Sequence, residues 1–178
     1  ITVLYRDSSA NRKKMAPYKH KVEMIQLDLS QANDMHKLEG SFDVLIHLAA
    51  VIPPLAIEQP ELTYRVNYLG TKNLLSRLEK ISPHCFFMFS SSIVVYGDRL
   101  NTPHISVTDE LPEHKKDIYA QSKIESEALV RSSRLEWTIF RLTAIMGVKN
   151  HKMTGLMFYM PLSTSMEIAM PEDTARAF

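Results

Sequence analysis

Short apolar runs of strand length alternate along this chain with longer segments of helical periodicity. The apolar runs predict strands over residues 1–5, 22–27, 44–48, 86–89 and 137–142. Amphipathic spacing predicts helices over residues 31–38, 62–78 and 118–131. Because strands that are apolar throughout are typical of parallel sheets covered on both faces, the pattern predicts an α/β fold. Its centre is a doubly wound parallel sheet with helices on both faces.

Composition excludes several classes of protein. The 178 residues are enough for one domain with a core, and no apolar stretch is long enough to span a bilayer. The net charge is +1 with both signs interspersed, which argues against nucleic acid or a membrane surface as the main partner. The single cysteine, Cys85, lies in an apolar run and is expected to be a buried thiol. An unpaired cysteine is compatible with a reducing compartment, and we predict a cytoplasmic location.

Ligands of open parallel sheets bind at the carboxyl ends of the strands. The residues that follow the predicted strands are therefore candidates for a binding site. They are Arg6, Asp28, Leu48, Ala49, Ala50, Ser90, Ser91, Ser92 and Thr143. The polar stretch at residues 97–117 shows little periodicity and is expected to be a long loop, a kind of segment that often carries function.

Tyr119 and Lys123 are four residues apart at the start of a predicted helix and therefore share one helical face. A neighbouring ammonium favours phenolate, so we expect Lys123 to lower the pKa of Tyr119. Such a tyrosine can act as a base toward a hydroxyl or as an acid toward a carbonyl, the proton transfer that accompanies hydride transfer by a nicotinamide. Tyr68 and Lys72 have the same spacing, but they lie inside the long helix, away from any strand end.

Four motifs recur in the order and approximate spacing of a known family. They are His47-Leu48-Ala49-Ala50, Asn67-Tyr68-Leu69-Gly70-Thr71-Lys72, Ser90-Ser91-Ser92 with Tyr96-Gly97, and Tyr119-Ala120-Gln121-Ser122-Lys123. Each is weak alone, and the serines by themselves equally fit a strand end that satisfies its own backbone. As an ordered set over residues 1–147, they resemble the extended short-chain dehydrogenases/reductases of the NAD-dependent epimerase/dehydratase family.

The resemblance implies a Rossmann-like nucleotide-binding domain and assigns roles to particular residues. The implied catalytic residues are Tyr119 as acid and base, Lys123 beside it, and Ser92 on the substrate hydroxyl or carbonyl. The implied cofactor-binding residues are Arg6, Asp28, Leu29, Leu48, Ala49, Ala50, Asn67, Ser90, Tyr119 and Lys123, with residues 141–144 bordering the nicotinamide. No metal site is expected.

The glycine-rich phosphate loop of that family is not found in this sequence. The chain has only five glycines and no G-x-x-G-x-x-G. In the family this loop follows a first strand, so we expect that first strand to be missing from this chain. We predict an NAD(P)-binding Rossmann-like domain with the catalytic residues over 1–147. Residues 148–178 are expected to be the start of a substrate-side region plus a late strand and helix of the same domain.

The choice between NAD and NADP stays open. Arg6 follows the strand at residues 1–5, with further basic residues at 12–14, and an arginine there can accommodate the 2′-phosphate of NADP. This favours NADP slightly, although Asp7 keeps NAD open and a solvated basic loop would look the same.

Three functions are consistent with the residues and the resemblance. The first is epimerisation or related oxidoreduction of a nucleotide sugar or a similar hydroxyl or carbonyl substrate. The second is an NADP-dependent carbonyl reductase of the dihydroflavonol or steroid reductase type. The third is a non-catalytic dinucleotide-binding sensor, against which Tyr119 and Lys123 both argue. Ile93 and Val94 follow Ser92 where the family's dehydratases carry acidic residues, which argues against dehydration. The resemblance also implies a homodimer.

Overall fold

A computed structural model of the chain describes residues 1–113, 117–147 and 167–178. The strands are β1 (Thr2–Tyr5), β2 (Glu23–Gln26), β3 (Val44–His47), β4 (Phe86–Ser92), β5 (Glu136–Leu142), β6 (Ala144–Ile145) and β7 (Ile168–Ala169). The α-helices are α1 (Ser9–Met15), α2 (Leu55–Glu58), α3 (Pro60–Thr63), α4 (Thr71–Ile81), α5 (Ile118–Ser132) and α6 (Pro171–Ala177). Short 3₁₀ helices cover Ala16–Tyr18, Ala32–Lys37 and Ile93–Tyr96, and a π-helix covers Tyr64–Gly70.

All strand pairs in the described residues are parallel, which confirms the predicted α/β class. The strands form three groups, β1–β2, β3–β4–β5 and β6–β7. In the central group β4 lies between its neighbours, with His47 opposite Phe89 and Ser91 opposite Arg141. The five predicted strands are confirmed, and β4 extends three residues further than predicted, to Ser92. The serines are therefore part of the strand rather than a loop that follows it.

The core lies between the central sheet and the helices α4 and α5. Phe87 and Phe89 of β4 pack with Leu74 and Leu78 of α4 and with Val130 of α5. Cys85 is buried beside them as predicted, and burial raises the pKa of its thiol. This packing holds the helix that carries Tyr119 and Lys123 against the sheet.

Strand β3 departs from the expectation that a strand of apolar residues is covered on both faces. Leu45 and His47 are buried, whereas Val44, Ile46 and Leu48 are 51%, 46% and 61% exposed. Alternate side chains of a strand point to opposite faces, so one face of β3 packs on the core and the other stays open.

The predicted helix at residues 62–78 is a composite of α3, the π-helix and α4. π-Helical segments are rare, occur mostly as single turns within α-helices and are frequent at functional sites. Gly70 ends the π-helix at a close contact, because a Cβ at this position would lie 2.9 Å from Cβ of Leu29. The helix therefore approaches the backbone that follows β2 as closely as glycine allows.

Other elements were predicted less completely. The helix predicted at 31–38 is the 3₁₀ helix Ala32–Lys37, and α1 was not predicted, because it buries none of its residues and so has no apolar stripe. The expected late strand and helix are β7 and α6. Residues 97–113 contain no helix or strand, as expected, and residues 148–166 lie outside the described part of the chain. No described helix is long and apolar enough to cross a membrane.

Candidate active site

The site is built where β3 and β4 end and α5 begins. Asp117 is the N-cap of α5, and its Oδ1 accepts hydrogen bonds from the backbone N–H groups of Tyr119 and Ala120, both at 3.0 Å. A carboxylate in this position satisfies donors that the first helical turn leaves free. Because α5 begins directly after this cap, Tyr119 lies in its first turn and Lys123 lies one turn later.

Lys123 is buried between the helix and the end of β4. Its Nζ donates a hydrogen bond to the carbonyl oxygen of Ser90 at 2.7 Å and lies 4.9 Å from the ring centroid of Phe89 and 5.9 Å from that of Tyr119. Burial lowers the pKa of Lys123 to about 8, and the negative charge of Glu127 opposes this shift. The ammonium form therefore still predominates at neutral pH.

Ser92 and Tyr119 form a pair of hydroxyl groups at the strand end. Burial raises the pKa of Tyr119, the hydrogen bond with Ser92 lowers it, and the charge of Asp117 raises it further. The net shift is upward, so the expectation that Lys123 lowers the pKa of this tyrosine is wrong for this structure. The physical reason is that partial burial disfavours phenolate, while the ammonium is directed at the carbonyl of Ser90.

Asn67, in the π-helix, joins the segment after β3 to the helix that carries the tyrosine. Its amide exchanges two hydrogen bonds with the backbone of Val51, at 2.7 and 3.0 Å, and its Nδ2 also donates to Oγ of Ser122 at 3.1 Å. The backbone carbonyl oxygen of Asn67 accepts hydrogen bonds from the hydroxyls of Thr71 and Ser126. Asn67 thus ties the segment after β3 to α5 by hydrogen bonds, and its role in a cofactor pocket stays a prediction.

His47 is a buried neutral imidazole behind the same strand ends. Its Nε2 lies 2.9 Å from Oγ1 of Thr71, whose own proton is donated to the carbonyl of Asn67. Nε2 must therefore carry the imidazole proton. Burial, and then the charge of Lys123, lower the pKa of His47 to about 3. The backbone carbonyl of His47 accepts from Oγ of Ser90 at 2.9 Å, so this serine links β4 to β3.

The remaining predicted cofactor residues line the ends of β1, β2 and β3. Arg6, Leu48 and Ala49 are exposed and Ala50 is half-buried. The carboxylate of Asp28 is engaged locally, because its Oδ1 accepts from the backbone N–H and the hydroxyl of Ser30. Leu29 is in contact with Gly70. The exposed residues among them leave accessible surface at the ends of β1 and β3.

The residues present fit part of a nicotinamide dinucleotide. The buried ammonium of Lys123 suits a ribose, and the hydroxyl of Tyr119, whose ring centroid lies 5.9 Å from that ammonium, suits a reacting carbonyl oxygen. The exposed ends of β1 and β3 leave room for the rest of the molecule. The backbone cradle for the pyrophosphate has no counterpart in the sequence of this chain.

The sequence did not predict the roles of two residues of the site. Glu127 was not singled out, although it lies one helical turn after Lys123. Arg141 was expected only to border the nicotinamide, yet it pairs with Glu127 at 2.7 Å. The signal that would have found the pair is the register in which Arg141 lies opposite Ser91, and this register cannot be read without the structure.

These features define a Rossmann-like α/β domain in which a tyrosine and a lysine lie at the strand ends. The chain matches the NAD dependent epimerase/dehydratase family over residues 1–167. It therefore belongs to that family, as the four motifs predicted.

Named relatives include both dehydrogenases and epimerases. D-erythronate dehydrogenase of Haemophilus influenzae is 31% identical over 107 residues, which are 58% of this chain and 33% of that protein. UDP-glucose 4-epimerase 2 of Oryza sativa subsp. japonica is 32% identical over 134 residues, 71% of this chain and 31% of the relative. The chain thus spans about a third of the length of these curated relatives.

The fold is shared with solved structures of sugar-nucleotide enzymes. The UDP-Glc/GlcNAc 4-epimerase from Campylobacter jejuni superposes with a TM-score of 0.68 at 26% identity, over 82% of this chain and 46% of that one. Most of this chain therefore shares its architecture with nearly half of that enzyme.

Proposed function

We propose that this chain carries the catalytic residues of an NAD(P)-dependent epimerase or oxidoreductase that acts on a nucleotide sugar or a similar hydroxyl or carbonyl substrate. The observation that carries the proposal is the hydroxyl pair of Ser92 and Tyr119 at the end of a parallel strand, next to a buried Lys123 whose ammonium is held by the carbonyl of Ser90.

The nicotinamide supplies the hydride transfer when it is bound. Tyr119 would give its proton to the substrate oxygen during reduction and take it back during oxidation. Ser92 would hold that oxygen by its hydroxyl. Lys123, whose ammonium is held by the carbonyl of Ser90, would bond the nicotinamide ribose, as the resemblance implies. Since His47 is neutral and donates to Thr71, it does not compete for the Tyr119 proton.

The relatives favour a nucleotide sugar as the substrate, because a named relative and a solved neighbour act on UDP sugars. Residues 93 and 94 favour epimerisation over dehydration, because they offer no second acid or base. Transient oxidation of a sugar carbon, followed by reduction from the other face, needs only the one tyrosine. The dehydrogenase relative keeps simple oxidation of a hydroxyl open as the reaction of this site.

A second candidate is an NADP-dependent carbonyl reductase. Arg6 is the observation that favours it, because its side chain is exposed at the end of β1 and can meet a 2′-phosphate. Consumption of NADPH by a carbonyl compound without any nucleotide moiety would distinguish this reductase from an epimerase. The sensor, the homodimer and the cytoplasmic location stay predictions.

Tyr119→Phe tests the catalytic assignment. We expect turnover by the natural full-length polypeptide to fall by about 10²–10⁴-fold while cofactor affinity changes little, because the substitution removes only the transferable proton. Tyr68→Phe is the matched control, since Tyr68 has a lysine at the same spacing but stacks on Tyr64 in the π-helix. If Tyr119→Phe kept most of its activity, the assignment would be wrong.

Arg6→Ala tests the cofactor preference. In calorimetric titrations of the natural polypeptide, NADPH affinity should fall by about tenfold or more while NADH affinity stays nearly constant, because only NADPH presents a phosphate to the guanidinium. Arg134→Ala, which removes an exposed arginine beyond the end of α5, is the control. Equal losses for both cofactors would remove the case for NADP.

A further inference from the structure

We infer that Glu127 is a positioning residue of the candidate active site. Its buried carboxylate, whose shorter ion pair is with Arg141, holds together the strand end that bears Ser92, the helix that bears Tyr119 and Lys123, and the loop at residues 97–113. The inference rests on the proposed function, because it assigns the positioning to the same tyrosine–lysine site.

The carboxylate of Glu127 receives donors from three elements. Its Oε1 accepts from Oγ of Ser91 on β4 at 2.6 Å and from Nε of Arg141 on β5 at 3.0 Å. Its Oε2 accepts from Nη2 of Arg141 at 2.7 Å and from Nη2 of Arg131, one turn along α5, at 3.3 Å. The side chain is only 2% exposed, so both oxygens are satisfied by protein. Two parallel bonds from one guanidinium fix orientation as well as distance.

The strand register explains why the carboxylate can reach both strands. Ser91 and Arg141 are direct partners in the β4–β5 pairing, so their side chains emerge on the same face of the sheet. Helix α5 packs against that face and presents Glu127 to both. One turn earlier, Lys123 bonds the carbonyl of Ser90. The helix is thus joined to consecutive residues of β4 by two polar contacts, immediately before Ser92.

Arg141 extends the connection to the loop at residues 97–113. Its Nη1 donates to the hydroxyl of Tyr96 at 2.6 Å and to the carbonyl of Val107 at 3.2 Å, and its guanidinium lies 4.7 Å from the Tyr96 ring centroid. Within the loop, Arg99 bonds the carbonyls of Thr102 and His104 and the carboxylate of Asp109. The loop is therefore an ordered segment that touches the site through Arg141.

Glu127 and Lys123 are coupled electrostatically. Arg141 from β5 and Arg131 from α5 face the carboxylate, whereas Lys123 is faced by the neutral His47 of β3 and the ring of Phe89 on β4. Burial raises the pKa of Glu127, but the hydrogen bonds from Arg141 and Ser91 outweigh it and the net shift is downward. The ionised carboxylate in turn raises the pKa of Lys123.

Glu127→Gln removes the charge and keeps the shape. We expect the titration of the Lys123 ammonium, followed by NMR on lysine-labelled, cofactor-free protein, to move down by about one pH unit. The high-pH limb of kcat/KM should move by the same amount. Glu79→Gln is the matched control, because Glu79 pairs with Arg134 on the surface. An unchanged Lys123 titration and an unchanged pH profile in a folded Glu127→Gln protein would overturn the inference.

Glu127→Gln leaves the buried guanidinium of Arg141 without its counter-charge and can prevent folding. A milder variant keeps the inference testable in that case. Ser91→Ala removes one donor and leaves the ion pair intact. Amide hydrogen exchange at residues 93–97 and in the first turn of α5 should then accelerate together, several-fold, relative to Glu79→Gln. Unchanged exchange in both segments would overturn the inference. If the parent protein has no turnover, the proposed function fails, while the Lys123 titration still decides the role of Glu127.

Discussion

His47 makes the stability of this fold sensitive to acid. The imidazole is buried, with its ring centroid 5.9 and 5.7 Å from those of Phe87 and Phe89, and burial is the first cause that lowers its pKa from 6.5 to about 3. Between pH 6.5 and about pH 3, His47 is protonated in the unfolded chain and neutral in the native state. The contribution of His47 to the free energy of unfolding is therefore complete above pH 6.5 and is lost as the pH falls toward 3.

The magnitude follows from the width of this window. Each pH unit below the unfolded pKa costs about 1.4 kcal/mol, so acidification by about two units costs roughly 3 kcal/mol from this residue alone. That is a large fraction of the ~5–15 kcal/mol that stabilises a typical domain. Carboxylates also titrate in this range, so the effect of His47 must be measured as a difference. His47→Gln supplies the reference, because its amide can still donate to Thr71 and does not titrate.

The assay is urea denaturation followed by circular dichroism between about pH 7.5 and pH 4.5. The parent should be the more stable protein near neutrality, and the gap to His47→Gln should close by about 3 kcal/mol across the range. His84→Gln, which replaces an exposed histidine, should track the parent at every pH. Parallel pH dependences of the parent and His47→Gln would refute the argument that the native state excludes this proton.

Two further substitutions test local contacts. Gly70→Ala should lower the free energy of unfolding by about 1–3 kcal/mol in urea titrations, because the new Cβ would lie 2.9 Å from Leu29, and stability equal to that of exposed Ser76→Ala would contradict this. Asp117→Ala should cost about 1 kcal/mol through loss of the α5 N-cap, whereas Asp117→Asn should keep the cap and lower the pKa of Tyr119 in a spectrophotometric titration. An unchanged tyrosine titration in Asp117→Asn would show that the aspartate charge does not reach the phenol.

The site could be predicted from sequence to the extent that it depends on spacing along the chain. The four-residue interval between Tyr119 and Lys123 and the serines at the end of a buried run are local features, and the structure places them as neighbours. The pKa of Tyr119 could not be predicted, because it depends on burial and on where the Lys123 ammonium is directed. The role of Glu127 was missed because its partners come from two strands that are distant in sequence.

The order of short apolar runs and amphipathic segments determined the α/β class, five strands and the motifs of the family, because the periodicity of buried side chains is a property of the chain itself. Tertiary structure decided the rest. It left one face of β3 open, inserted a π-helix around Asn67 and paired Ser91 with Arg141 so that a single carboxylate joins β4, β5 and α5. Such features depend on strand register and on packing between distant segments, and only the folded chain brings those together.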